Sequence, residues 1–218
     1  MIGSRNSRGI SRIVRGMIVP LSMVALMWVV QIFQSLTMLE LGYYGIRPRS
    51  QEGFQGVFLA PLIHSGYSHL LSNTFPFLAL SGLMVVFYTK IAVRAIWIIY
   101  FLTGIFVWFF GRTVYHIGAS GVVYGLLAFV FWTGIFRRNI KSIALAVLVL
   151  FYYGSMFSGI LPGQEDVSWE SHLLGAVAGI IVAFLYKGSR ERDEVLPPPV
   201  EEEAPTYYFD RDIFDQPK

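Results

Sequence analysis

Residues 119–136 read ASGVVYGLLAFVFWTGIF, and this stretch without a single charge decides how the rest of the chain is interpreted. A helix needs about 20 mostly apolar residues to cross a hydrocarbon core roughly 30 Å thick. Because that core holds no water, the backbone must satisfy its own hydrogen bonds, which a helix does and an open strand does not. The stretch therefore predicts a membrane-spanning helix that carries a hydroxyl group, that of Ser120, in its first turn.

Five more apolar segments accompany this one and predict a membrane protein. Hydrophobic residues make up 55% of the 218 residues and charged residues 14%, with a mean hydropathy of +0.56. A soluble domain usually carries about 25% charged residues. The six predicted spans are residues 17–36, 68–88, 93–110, 119–136, 143–157 and 168–185. The predicted fold class is an all-α membrane protein, a bundle of six transmembrane helices.

The positions of the cations predict the orientation of this bundle, since Lys and Arg are retained on the cytoplasmic side. With six crossings, four basic regions fall on one side of the membrane. They contain Arg5, Arg8, Arg12, Arg15, Lys90, Arg94, Arg137, Arg138, Lys141, Lys187, Arg190 and Arg192. Arg47 and Arg49, in the first outer loop, are the exceptions. Both termini are therefore predicted to be cytoplasmic.

The composition divides the chain into three parts. Residues 1–16 form a basic amino terminus, residues 17–187 the membrane core, and residues 188–218 an acidic, proline-rich tail. Such a tail buries too little apolar surface to fold alone, so it is predicted to be disordered and cytoplasmic, with no partner assigned. No small-residue cleavage site follows the first apolar run, which is therefore interpreted as a retained helix and not as a signal peptide.

Several classes of chemistry are excluded by what the chain lacks. It has no cysteine, which rules out disulfides, zinc–thiolate sites and cysteine nucleophiles. No basic stripe with interleaved aromatic residues supports binding to nucleic acid. The predicted spans hold no aspartate for an intramembrane aspartyl protease, and no histidine begins the H-E-x-x-H pattern of zinc proteases. Neither a metal nor a cofactor is expected, and catalysis by a hydroxyl group remains.

Ser120 lies in the motif Gly118-Ala119-Ser120-Gly121 at the start of the fourth predicted helix. Free backbone N–H groups and the positive end of the helix dipole favour a developing anion at this position. Gly118 and Gly121 leave room for a substrate backbone or for another helix. The alternative interpretation of the motif is helix packing by small residues alone.

His172 opens the sixth predicted helix, and a histidine can take a serine proton at neutral pH. Gly175 and Gly179 follow at three and seven positions, so the three residues share one helical face. That smooth face can pack closely on the fourth helix and would then bring His172 to Ser120. The alternative is an interfacial or packing histidine.

A third element stands at the start of the second predicted helix, where His69 and Asn73 are four residues apart and share a face. An imidazole and an amide can both donate hydrogen bonds to a tetrahedral oxyanion, beside the backbone N–H of Ser120. The alternative is a hydrogen bond between helices.

In this order and on these helices, the motifs resemble the rhomboid family of intramembrane serine proteases. The resemblance extends over roughly residues 45–179. Residues 45–49, GIRPR, and residues 60–64, APLIH, resemble a bacterial branch of that family. One departure is that many members carry a Trp-Arg pair in the first outer loop, where this chain has GIRPR.

The resemblance implies a Ser–His dyad without an acidic third member. Ser120 would attack the peptide carbonyl, and His172 would accept its proton and return it to the leaving amine. Tyr124 would stack on the His172 ring. Asn73, His69 and the Ser120 N–H would form the oxyanion hole.

The resemblance also implies substrates and a location. The substrates would be other membrane proteins whose transmembrane helix unwinds near the outer surface, and the location a bacterial plasma membrane. The fifth helix, which is short and carries Gly154, Ser155 and Ser158, is the hypothesised gate for lateral access. His64 is expected to anchor the first loop, and His116 to make a hydrogen bond that orders its own loop.

Two other functions compete with an active protease. A catalytically silent rhomboid-like protein that binds membrane helices would be marked by loss of the serine or the histidine, and this chain has both. A small-molecule transporter would show inverted repeats or helices broken at the midplane, and neither is visible. An active protease is therefore the preferred interpretation.

Overall fold

The computed structural model describes residues 2–162, 168–189 and 191, and this part of the chain is helical. Its helices are α1 (Ile2–Thr37), α2 (Gly56–Leu59), α3 (Tyr67–Phe87), α4 (Ala92–Phe110), α5 (Ser120–Arg137), α6 (Ile140–Tyr153) and α7 (Trp169–Leu185). Short 3-10 helices cover Leu41–Tyr44, Glu52–Gln55, Ala60–Leu62 and Gly154–Ile160. Within the described ranges, the only β-type pairing is an isolated bridge between Ile46 and His116. The predicted all-α fold is confirmed for these residues.

Among the residues that the structure describes, five helical segments are long and apolar enough to cross a membrane. They are Ile10–Thr37, Tyr67–Phe87, Ala92–Phe110, Ser120–Arg137 and Ile140–Ile160. The sixth predicted span corresponds to α7, which is apolar but only 17 residues long. The predicted ends of the second, third and fourth spans agree with α3, α4 and α5 to within one residue.

The first helix starts earlier in the structure than the first predicted span, and most of the predicted tail is not described. α1 begins at Ile2 and not at residue 17, so the basic segment 1–16 continues into the first span without a break. No proline precedes Pro20, and nothing else in this segment forces the helix to end. The predicted tail, residues 188–218, lies outside the described residues apart from residues 188, 189 and 191. For these first residues the predicted disorder is wrong, because Glu191 is buried and accepts a hydrogen bond from the Lys90 N–H at 3.1 Å.

α5 is the centre of the bundle. It packs against α3, α4, α6 and α7, and its residues Leu126, Phe129 and Val130 are fully buried. A helix that is apolar all round belongs in such a core. α1 and α6 instead turn large apolar side chains outward, as a surface in contact with lipid requires. These side chains include Ile18, Leu21, Val29, Phe151 and Tyr152.

α5 and α7 touch backbone to backbone along their glycine faces. A Cβ atom placed on Gly175 would collide with the carbonyl oxygen of Gly121, and one placed on Gly179 would collide with that of Gly125. Small residues let membrane helices approach this closely, and van der Waals packing then holds them together. The two glycine faces expected from the sequence therefore meet, and they bring the first turns of α5 and α7 side by side.

The loop between α1 and α3, residues 38–66, which was predicted as the first outer loop, is held against the end of α4 by Arg49. The Arg49 guanidinium donates hydrogen bonds to the carbonyl oxygens of Phe109 at 3.1 Å and Gly111 at 2.9 Å. The Trp108 indole N–H donates in return to the Ser50 carbonyl at 2.9 Å. An arginine of the GIRPR stretch thus orders this loop, in which a Trp-Arg pair is absent.

Candidate active site

Ser120 and His172 face each other in the first turns of α5 and α7. The distance from Ser120 Oγ to His172 Nε2 is 2.9 Å, which is a hydrogen bond. His172 Nδ1 lies 2.8 Å from the carbonyl oxygen of Gly159, and because a carbonyl can only accept, Nδ1 carries the ring proton. Nε2 is then unprotonated and accepts from the Ser120 hydroxyl. This is the arrangement that a general base requires.

The 3-10 helix Gly154–Ile160 supplies two backbone carbonyls to this site. Besides the Gly159 carbonyl, that of Met156 accepts a hydrogen bond from the Tyr124 hydroxyl at 2.7 Å. The Tyr124 ring stacks on the His172 ring, with centroids 4.1 Å apart and planes inclined by 11°. A carbonyl therefore holds the His172 ring at Nδ1, and an aromatic ring covers one of its faces. Since every residue has a backbone carbonyl, no sequence pattern could have indicated these two contacts.

His69 and Asn73 line the same cavity as Ser120. Asn73 Nδ2 donates to the His69 carbonyl at 2.8 Å, which uses one of its two amide hydrogens. The backbone N–H and the hydroxyl of Ser65 lie 3.5 Å and 3.2 Å from His69 Nδ1, and when both donate to this nitrogen, His69 Nε2 carries the ring proton. The cavity wall beside Ser120 therefore contains an amide donor and an imidazole donor.

Gly118 adopts a backbone conformation that favours glycine, with a φ of +95°. Its N–H donates to the Ala60 carbonyl at 2.8 Å, which ties the serine motif to the first outer loop. A Cβ atom on Gly118 would lie 2.7 Å from the His69 ring. A larger residue would therefore be strained and would displace His69 from the site.

A cavity of about 770 Å³ opens at Ser120 and His172. Ser120, His172, His69 and Asn73 all line it, and Arg112 contributes from the loop between α4 and α5. Ligand cavities of proteins commonly have volumes of about 300–1,000 Å³. The structure thus brings together the four side chains that the sequence proposed for chemistry, in a space large enough for a peptide segment and water.

His64 lies near the end of the loop between α1 and α3, next to the site, and is 1% exposed. Its Nε2 accepts from the Ala119 N–H at 3.5 Å, and its ring packs edge-on against His69 with centroids 5.0 Å apart. The Gln34 side chain donates to the His64 carbonyl at 3.1 Å. These contacts agree with the expected role in anchoring the loop. Burial, together with the neighbouring His69, lowers the pKa of His64 to about 4.

This pKa predicts a loss of stability in acid that comes from His64. The unfolded chain takes up a proton on this ring near pH 6.5, whereas the folded protein does so only near pH 4. Because the unfolded state binds more protons in this window, the free energy of unfolding should fall by up to about 3 kcal/mol as the pH drops through it. Thermal unfolding of the wild type and His64→Gln across these pH values measures the effect. The variant should depend less on pH, and equal slopes would contradict the assignment.

His116 makes two hydrogen bonds, from Nε2 to the Arg112 carbonyl at 2.9 Å and between Nδ1 and Ser168 Oγ at 2.6 Å. Its backbone also pairs with that of Ile46. The residue is 3% exposed, and this burial lowers the pKa of His116. The expected loop-ordering hydrogen bond is present, and a second one reaches the residue that precedes α7.

Comparison with known proteins gives consistent matches. The Rhomboid domain family matches residues 51–189 of this chain. An uncharacterized protein of Mycobacterium tuberculosis (strain ATCC 25618 / H37Rv) is 38% identical over 185 residues, which cover 81% of this chain and 77% of that protein. An uncharacterized protein of Mycobacterium leprae (strain TN) is 32% identical over 188 residues, covering 81% of this chain and 73% of the relative. A protein of Acanthamoeba polyphaga mimivirus that is named as a rhomboid protein is 35% identical over 134 residues, 58% of this chain and 73% of its own length.

The family match contains the side chains that meet at the candidate site. It starts in the first outer loop and ends just beyond α7, so it contains His69, Asn73, Ser120, Tyr124 and His172. The long apolar helices agree with a chain that crosses a membrane several times. Sequence match and architecture lead to the same conclusion: the chain is a multi-pass integral membrane protein that belongs to the rhomboid family.

Proposed function

We propose that this chain is an intramembrane serine endopeptidase, with Ser120 as nucleophile and His172 as general base. Rhomboid family members are generally proteases of this kind, but some rhomboid-like proteins are inactive. The proposal that this chain is active therefore depends on the geometry of its site. The observation that carries the proposal is the 2.9 Å contact between Ser120 Oγ and His172 Nε2, in a ring whose Nδ1 proton is bound by the Gly159 carbonyl. A helix-binding protein without activity needs no unprotonated nitrogen against a serine hydroxyl in an open cavity.

In the proposed reaction, Ser120 Oγ attacks the carbonyl carbon of the scissile peptide bond while His172 Nε2 takes the hydroxyl proton. The new O–C bond leaves a negative charge on the former carbonyl oxygen. The His172 imidazolium then gives its proton to the leaving amine as the peptide C–N bond breaks. Water, deprotonated by the same nitrogen, hydrolyses the acyl-enzyme and restores Ser120. Tyr124 keeps the ring in one orientation during both transfers.

The negative charge would be bound by donors from two helices. His69 Nε2–H and Asn73 Nδ2–H come from α3, and the Ser120 backbone N–H comes from the first turn of α5. First-turn N–H groups have no partner within their own helix, and the helix dipole adds to their attraction for an anion. One such donor typically contributes about 10²–10³-fold to kcat.

The proposed topology has six crossings, with both termini in the cytoplasm of a bacterium and its plasma membrane as the location. α7 is short for a span, but a helix that opens at a hydrated cavity has less hydrocarbon to cross. The basic regions at alternate ends of the helices support the orientation. The acidic segment 188–218 is proposed to be cytoplasmic, like the amino terminus, with no assigned partner.

The proposed substrates are transmembrane helices of other membrane proteins, which would reach the cavity from the lipid. We propose that α6 and the 3-10 helix after it form the gate, since Met156 lines the cavity and Phe157 is exposed beside it. Because the chain has no cysteine, one cysteine can be placed at Ser72 in α3 and one at Met156 in the 3-10 helix after α6, which both line the cavity, and joined by a bis-maleimide without side reactions. The linked protein should no longer cut a transmembrane reporter, whereas a small fluorophosphonate should still label Ser120 from the aqueous side.

Single-cysteine variants treated with the same reagent are the control for the gate. They should cut the reporter at the rate of the untreated protein. If the linked protein also cuts at that rate, lateral access occurs elsewhere and the gate is discarded.

The proposed activity is tested with purified protein in liposomes and a fluorescent transmembrane reporter. The wild type should release a fragment, and mass spectrometry of the two products should place the cut in or next to the reporter helix. Labelling of Ser120 by the fluorophosphonate reports an active nucleophile even where a reporter is a poor substrate. A folded wild type that neither cuts nor becomes labelled would favour an inactive helix-binding protein.

A further inference from the structure

We propose that His116 and Ser168 are positioning residues, which hold the first turns of α5 and α7 at the spacing that the Ser120–His172 pair needs. This inference rests on the proposed function. His116 precedes Ser120 by four residues, and Ser168 precedes His172 by four residues. A hydrogen bond of 2.6 Å between His116 Nδ1 and Ser168 Oγ therefore connects the two chain segments immediately before the dyad.

The carbonyl of Arg112 fixes which nitrogen of the His116 ring carries the proton. His116 Nε2 must donate to the Arg112 carbonyl, 2.9 Å away, so the neutral ring accepts at Nδ1 from the Ser168 hydroxyl. Ser168 Oγ in turn accepts from the hydroxyl of Ser171, at 2.6 Å. Burial lowers the pKa of His116 and so favours the neutral ring that this arrangement uses. Each ring nitrogen thus has one role, and the Ser171 hydroxyl, 3.4 Å from His116 Nδ1, belongs to the same network.

Ser168 also acts directly on the turn that carries His172. Its carbonyl accepts the backbone N–H of His172 at 3.3 Å, so the residue that binds His116 also starts α7. The first turn of a helix has few intrahelical hydrogen bonds and frays readily. A side-chain contact from outside α7 is therefore needed to keep His172 in register with Ser120.

A second link joins the same two segments. Arg112, from the loop between α4 and α5, forms an ion pair with Glu170 in the first turn of α7. The Glu170 side chain is 6% exposed and the Arg112 side chain 49% exposed, so the arginine covers the buried carboxylate from the cavity side. Two polar contacts therefore join these segments, and they are connected to each other because the Arg112 carbonyl also binds His116 Nε2.

The glycine contacts between α5 and α7 do not by themselves set this spacing. They begin at Gly121, whose added Cβ would lie 2.9 Å from the Ser171 carbonyl oxygen, and continue along both helices to Gly179, so they form one line of contact about which the helices can tilt. A displacement of about 1 Å in a catalytic group can cost roughly 100-fold in rate. The bond between His116 and Ser168 joins the two segments just before this line of contact begins, where it opposes such a tilt.

The test compares Ser168→Ala with Ser168→Thr, which retains the hydroxyl. The alanine variant should lose about 10- to 100-fold in kcat and in the rate of Ser120 labelling by a fluorophosphonate, with KM within about threefold of the wild type. The threonine variant should recover most of the loss. Ser35→Ala, which removes a hydroxyl on α1 far from these loops, should cut and label like the wild type.

A double-mutant cycle then asks whether His116 and Ser168 act through one contact. His116→Ala should lower kcat as Ser168→Ala does, and the double variant should be no slower than the slower single variant. Additive losses, or a fall in the unfolding temperature that accounts for the lost activity, would show a structural role and overturn the inference. The same holds if the wild type cuts and Ser168→Ala keeps its kcat. A wild type that neither cuts nor labels would instead overturn the proposed function, and the positioning role with it.

Discussion

Replacing Ser120 by alanine is expected to abolish cleavage of a transmembrane reporter, with kcat falling at least about 10⁴-fold, as removal of the nucleophile does in other serine hydrolases. His172→Ala should fall by a similar factor. It leaves the Ser120 hydroxyl in place but removes the nitrogen, 2.9 Å away, that would take its proton. Because the two residues act as one unit, the double variant should be no slower than either single one.

The measurement is reporter cleavage in liposomes, with fluorophosphonate labelling as a second readout. Both single variants should lose the label along with the cleavage, since labelling needs the hydroxyl and the base. Thermal unfolding controls for the fold, and Ser35→Ala controls for loss of a hydroxyl elsewhere. If Ser120→Ala, purified free of other proteases, still cuts, then the nucleophile has been misassigned.

Replacing Gly175 by alanine is expected to damage both stability and activity. Its new methyl group would collide with the backbone carbonyl of Gly121, and a backbone cannot move aside as a flexible side chain does. α7 must then move away from α5, which should cost about 1–3 kcal/mol of unfolding free energy. Since Gly175 lies one turn after His172, the same movement should separate the dyad and lower kcat by roughly 100-fold. Thermal unfolding and reporter cleavage measure the two effects.

Gly82→Ala is the matched control for this experiment. Gly82 also lies inside a membrane helix, α3, but the nearest atom to a Cβ there is the Met17 methyl carbon at 4.0 Å. The variant should keep its activity, and it should be neutral or gain up to about 1 kcal/mol from the better helix propensity of alanine. Gly179→Ala, one turn further from the dyad, should lose stability with a smaller effect on kcat. If Gly175→Ala unfolds at the same temperature as the wild type and cleaves the reporter at the same rate, the close packing of α5 on α7 is contradicted.

The spans could be predicted to within a residue for α3, α4 and α5 because the bilayer imposes both a length and a polarity on them. α1 was predicted to start too late, since hydropathy marks where lipid ends and not where a helix ends. The helix continues through the basic residues to Ile2, where arginines can face water without breaking the backbone hydrogen bonds. Among the six predicted spans, the one that corresponds to α7 is too short in the described part of the chain for length and composition to establish it.

By itself, the sequence determined the class of this protein and the side chains that meet at its site. Polar residues are rare in apolar helices, so each one is a candidate for the site. Glycines at helical spacing show which faces of α5 and α7 can approach each other closely. Only the tertiary structure decided how His172 is held and how the two first turns are joined. The Gly159 carbonyl, the bond from His116 to Ser168 and the pair of Arg112 with Glu170 connect segments that are distant in the chain. These contacts form because folding brings the segments close together in space. The sequence could not indicate them, because every residue has a backbone carbonyl and a histidine in a loop belongs to no periodic pattern that would point to its partner.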